Sequence, residues 1–286
     1  MRYLRFNKKA SKKLLAFFFS SLLSATACYA QTDTIYVNNQ KISCSVKEIA
    51  PDAVKYTFPG EDVINSVYKN TVQKIVFKSG RVQTFAESTS YKPINNVMDF
   101  EKVTITSVES EVKGLFKLAD VSSKAKGTTV YSSQERVKDR AYRKIKIQAA
   151  MFGANTIFIS NQRTEGNKYG SYFTSGSTSE TNLTGIAYSN ILPDVSQFKK
   201  LIGNKTDFIA SEKFELGASD SDVSQDNINK PFKIFNITND NGIVSVEGQL
   251  KGENNVNSFQ LANFNETSFS IAYKYKGTAY NIVVKL

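Results

Sequence analysis

The chain has 286 residues, 41% of them hydrophobic and 22% charged, which places it among globular proteins with room for two or three domains. It contains no histidine and only two cysteines, so Ser-His-Asp and Cys-His catalysis are excluded, as is every zinc site built on imidazole. The formal charge of +11 invites a nucleic-acid reading, yet six cations (Arg2, Arg5, Lys8, Lys9, Lys12, Lys13) precede the first apolar run. Without them 31 cations face 26 acids, a net of +5.

Residues 1–30 have the parts of a secretory signal: a cationic start, the apolar run Leu14 to Ala27, and small residues at cleavage spacing. The run is shorter than the roughly 18 unbroken apolar residues that span a bilayer. Cleavage after Ala30 is the expectation. Cleavage after Ala27 and lipidation at Cys28, with two small residues before it, are the alternatives. Export places the mature chain in the periplasm, outside the cell or at the outer membrane, out of reach of cytosolic nucleic acid. One cysteine then remains, and in KISCSVKEI the alternation puts Ile42, Cys44 and Val46 on one face, as a buried hydrophobe requires.

Residues 31–90 read as short strands (TIYV, KISCSVKEI, AVKYTF, INSVY, VQKIVF, RVQTF) separated by Asn38-Asn39, Pro51-Asp52, Pro59-Gly60, Lys69-Asn70 and Ser79-Gly80. Strands this short and closely spaced suit a small closed or half-closed barrel. The rhythm of DTIYVNNQKISCSVKEIAPDAVKY and VQKIVFKSGRVQTF resembles SH3-like or Sm-like β-barrel modules common in uncharacterised envelope proteins of Bacteroidota. That resemblance implies a docking fold and carries no active site.

STSYKPINNVMD reads as a linker. Residues 97–192 follow as a β-sheet domain with one helix, predicted over about 133–152. Val137, Ala141, Ile145, Ala149 and Phe152 recur on one helical face, and Arg136, Arg140 and Arg143 lie opposite. Gly153 ends the helix in a left-handed turn and NTIFI begins a strand at once. This helix, the Gly153-Ala154-Asn155 turn and the later Ala187-Tyr188 pair resemble the YbjQ-like domain and the envelope stress-sensor lipoprotein of the Rcs phosphorelay. The segment has neither cysteine nor histidine, so the resemblance implies a scaffold without the metal site or disulfides of those families. Between the strands NTIFISNQ and TNLTGIAYS lies a Gly/Ser/Thr-rich segment, read as a mobile hairpin tip from Thr164 to Thr181.

Residues 194–286 read as an antiparallel meander of five or six strands, a sandwich half or lipocalin-like partial barrel. The fold class expected is α+β, mostly β. No phosphate-cradling glycine loop and no nucleophile elbow is present. Asp220, Asp222 and Asp226 are spaced like calcium ligands, but the loop lacks the central glycine and terminal glutamate of a calcium site and reads as solvated.

The chemistry left is that of a non-catalytic envelope protein acting as an interaction or structural module, with no cofactor or metal. Its candidate surface is Arg136, Arg140, Arg143, Lys144 and Lys146 on the helix with Tyr169, Tyr172 and Phe173 on the loop. This surface suits an envelope protein or an anionic envelope surface, with peripheral membrane association. One alternative is a container for a lipid or other apolar molecule, lined by Phe232, Phe235, Phe259, Phe264, Phe269, Tyr273 and Tyr275. A hydrolase built on carboxylate pairs or a Ser-Lys dyad is the third reading.

Overall fold

Alternating apolar residues set up three β-rich units, seen in the computed structural model, which describes residues 32–37, 40–85, 91–218 and 220–286. The signal segment with Cys28, the Asn38-Asn39 turn and the start of the linker lie outside the described residues.

The first unit holds β1 (Asp33–Val37), β2 (Gln40–Ile49), β3 (Ala53–Thr57), β4 (Asn65–Tyr68), β5 (Val72–Val76) and β6 (Val82–Thr84) in the order β4-β3-β2-β1-β5-β6. β2 pairs with β1 through its first half and with β3 through its second, across a bulge between Val46 and Glu48. The sheet bends there over a core of Ile35, Val37, Cys44, Val54, Tyr56, Val72 and Ile75. Its order leaves β4 and β6 as edges, so the unit is an open six-stranded sheet where a small closed or half-closed barrel was expected. Asp33 pins the bend: one carboxylate oxygen accepts from Val46 N and the other from Lys78 N, both at 2.8 Å. Cys44 is fully buried, and burial together with the charge of Asp33 pushes its thiol up to about 11.

The second unit contains β7 (Thr104–Thr106), β8 (Phe116–Lys126), helix α1 (Gln134–Met151), β9 (Thr156–Glu165) and β10 (Glu180–Ser189), with sheet order β7-β9-β10-β8. Only the β7–β9 pair is parallel. α1 matches the predicted helix within a residue at each end. Ser133 caps it by accepting from Arg136 N, and its last turn closes with Gly153 N to Ala150 O and Ala154 N to Ala149 O.

The third unit begins with α2 (Val195–Ile202), capped by Asp194. β11 (Asp207–Leu216), β12 (Ser224–Asp240), β13 (Ile243–Leu250), β14 (Ser258–Phe264), β15 (Ser268–Tyr275) and β16 (Thr278–Lys285) then form a closed up-and-down barrel, β16 returning to β11. The expected partial barrel is complete, and closure removes its strand edges. Phe208, Phe232, Ile234, Val246, Phe259, Phe269, Ile271 and Ile282 fill it, and the fully buried Phe198 of α2 packs on Phe264 and Phe269.

A bulge between Ala210 and Glu212 shifts the alternation of β11. Phe214 and Leu216 therefore leave the barrel core and join Ala262, Ala272 and Ala279 in the core beneath α1. The helix is thus held between the four-stranded sheet and the barrel wall. Ile145, Ile147, Ala149, Ala150 and Met151 are all buried, more than one face of a helix supplies. Each buried Ile or Met contributes about 1.5–3 kcal/mol. The expected linker also packs: Ile94 and Val97 are buried, and Asn263 donates to the carbonyls of Ile94 and Asn95.

Candidate functional site

Neighbouring segments, the β11–β12 loop of the barrel among them, reach the helix side read as a basic surface, and this changes what the cations do. Arg143 stacks its guanidinium 4.3 Å from the Phe100 ring centre, and contacts Asp222 at 3.0 Å and Glu101 at 3.4 Å. Lys146 lies 3.6 Å from Glu101. Arg140 donates to Lys126 O at 2.9 Å. Lys144 is only 3% exposed and donates to Lys124 O at 2.9 Å and Ala218 O at 2.8 Å. Four of the five cations therefore clamp α1 to its surroundings; Arg143 and Lys144 reach the β11–β12 loop. Lys144 is buried, a correction to the exposed patch read from helical spacing, because the spacing contains no sign of the barrel that lands there.

Burial lowers the Lys144 ammonium below its ordinary range, against the pull of Asp220 and with the push of Arg140. Lys144 borders a cleft of about 380 Å³ with Lys124, Lys126, Arg140, Asp220 and Ser221. A lysine of lowered pKa beside a serine is the nearest approach to the Ser-Lys dyad considered above. Its hydrogens go to the two backbone carbonyls, and among the described residues no hydrogen bond joins it to Ser221.

The three aspartates are separated in the same way. Asp220 accepts from Gly217 N at 2.5 Å, Asp222 pairs with Arg143, and Asp226 stands opposite Lys213 in the β11–β12 ladder. Burial alone would raise the Asp222 carboxyl, but the Arg143 guanidinium and the Val223 N–H hold it below the usual carboxylate range.

The seven aromatics considered as cavity lining also divide. Phe232, Phe259, Phe269 and Tyr273 meet ring to ring inside the barrel at 5.3 to 6.4 Å. Phe264 and Tyr275 are half-buried, and Phe235 is 60% exposed on the outside. The rings fill the space they enclose.

What remains exposed is the β9–β10 hairpin. The segment expected to be mobile is hydrogen-bonded almost to its tip. Lys168 and Ser177 exchange both backbone bonds, as do Ser171 and Thr174, whose hydroxyls also meet at 2.8 Å. Gly170 and Gly176 face each other so closely that a Cβ on Gly170 would lie 2.7 Å from Gly176 N. Asn167 ties the base down, donating to Ser132 O at 2.8 Å and accepting from Ser179 N at 2.7 Å. Gly127 N donates to Ser179 O, and a Cβ on Gly176 would lie 3.1 Å from Val130. The segment between β8 and α1 thus lies alongside the hairpin.

At the tip Tyr172 and Phe173 are 95% and 89% exposed and meet edge-on at 5.1 Å. Tyr169 pairs with Tyr131 at 5.8 Å, and these two are 68% and 81% exposed. Turn chemistry favours glycine or asparagine at central hairpin positions, so it does not account for rings there. Tyr131 was missed in the sequence because it precedes the helix in a different segment. Its only signal was an aromatic in the uncharged run GTTVYSSQ.

Arg136 faces this region together with Arg140. It lines a cleft of about 540 Å³ with Thr128, Tyr131, Ser132 and Arg140. The structure therefore joins Arg136 and Arg140 to the aromatic loop and assigns Arg143, Lys144 and Lys146 to packing. No family model, curated protein or solved structure matches the chain.

Proposed function

We propose that this is a non-catalytic, exported cell-envelope protein, an interaction module whose three β units hold up the aromatic hairpin of residues 166–179. The observation that carries this reading is the pairing of four exposed rings (Tyr131, Tyr169, Tyr172, Phe173) with a hairpin hydrogen-bonded almost to its end. Exposed apolar clusters on rigid supports mark contact surfaces, because ordering them costs little further entropy when a partner arrives. The likeness of residues 97–192 to the stress-sensor lipoprotein fold belongs to this proposal as a scaffold only.

A photo-crosslinking amino acid at Tyr172 in cells producing the protein tests the reading. A reproducible adduct at Tyr172, absent when the probe sits at exposed Ile209 on the barrel, is expected. No adduct specific to the tip would refute it.

A further inference from the structure

We infer that the occupant of this surface is an anionic lipid headgroup layer, with Tyr172 and Phe173 inserting between headgroups; the inference rests on the reading just given. The two adjoining segments have an unusual charge pattern. Residues 127–134 carry no charge, and residues 166–179 carry one cation, Lys168, and no acid. Serine, threonine and glycine make up most of the remainder, groups that hydrogen-bond in a headgroup layer without the cost of burying a carboxylate.

Behind this acid-free platform the charge becomes positive. Lys126 ends β8 beside Glu180, and Arg136 and Arg140 line the cleft under Tyr131. Two nearby acids are already paired, Glu180 with Lys124 at 2.8 Å and Glu165 with Arg163; Asp139 lines the cleft with Arg136 and Arg140, and Glu135 lies in the first turn of α1. Lys126, Arg136, Arg140 and Lys168 are left to meet phosphate. Amphipathic rings in front with cations one layer back match the order of a bilayer surface, where acyl chain, carbonyl and phosphate succeed one another outward.

The chain contains no tryptophan, so Phe173→Trp makes the tip the sole source of tryptophan emission. The full chain carrying this substitution is mixed with vesicles of phosphatidylcholine, with and without phosphatidylglycerol. The readout is local, so the apolar run from Leu14 to Ala27 does not confuse it.

A blue shift on the anionic vesicles, quenched by bromine-labelled acyl chains and weakened by salt, is expected. Tyr172→Ser with Phe173→Ser lowers vesicle partitioning by about tenfold or more, from the apolar area lost. Arg136→Gln with Lys168→Gln removes the preference for anionic lipid and leaves the circular dichroism spectrum unchanged. Emission unmoved by either vesicle overturns the inference, and so does an equal shift on phosphatidylcholine alone. If emission is unmoved while Tyr172 still crosslinks to a protein, the lipid assignment falls and the interaction reading stands; if both fail, both are wrong.

Discussion

Replacing Gly153 with alanine tests whether α1 is a shared wall between the sheet and the barrel. Gly153 adopts φ +74°, and a Cβ there would come 2.4 Å from the carbonyl oxygen of Ala262 on β14 and 3.2 Å from its carbon. The obstruction is backbone, which a rotamer change cannot relieve. The left-handed conformation costs an alanine about 1–2 kcal/mol, and forcing the wall apart costs about 1–3 kcal/mol more. The expected total is about 2–5 kcal/mol.

Gly277 supplies the control: it has φ +81° with nothing within 4 Å of an added Cβ. Gly277→Ala therefore carries only the conformational cost. Urea denaturation followed by far-ultraviolet circular dichroism measures both, with the midpoint shifting and the slope constant. The expected order is a clearly larger loss for Gly153→Ala. Equal losses would refute the claim that the barrel is rigidly seated on the helix turn.

Arg143→Ala and Asp222→Ala together should show a coupling of about 0.5–1 kcal/mol in a double-mutant cycle, modest because both groups are partly in solvent. The Asp222 carboxyl is lowered in the folded state, so this coupling is present above the unfolded carboxylate range. It disappears as pH falls through the folded value. Lys144→Met should cost about 1–3 kcal/mol, because two backbone carbonyls lose their donor. The Lys144 ammonium is lowered on folding, so the unfolded chain binds more protons in the interval below 10.5, and wild-type stability gains with pH there. The deficit of Lys144→Met should widen between pH 7 and pH 10, as followed by urea titration; a constant deficit would contradict burial as the cause. Cys44, with its thiol held at about 11, should resist maleimide at pH 8 until denaturant is added, as read by peptide mapping.

Periodicity within a segment is local information, and the sequence by itself determined what depends on it. The strands around Cys44, the face Val137-Ala141-Ile145-Ala149-Phe152 and the stop at Gly153 were all legible. Each follows from alternation at 2 or 3.6 residues, or from a conformation only glycine accepts cheaply. The mostly β class follows from the same patterns. Tyr172 and Phe173 stood out because aromatics are foreign to a Gly/Ser/Thr run.

Contacts between distant segments decided the rest. Whether the last six strands close depends on β16 reaching β11, more than sixty residues away in sequence, and no local pattern encodes that. The fate of the basic helix face depended on the barrel's docking: Arg143 found Asp222, and Lys144 found Ala218 O, both far along the chain. Helical spacing shows which side a cation takes and is silent on what lies there. Tyr131 joined the aromatic cluster for the same reason, brought to Tyr169 by the pairing of two segments whose sequences do not refer to each other.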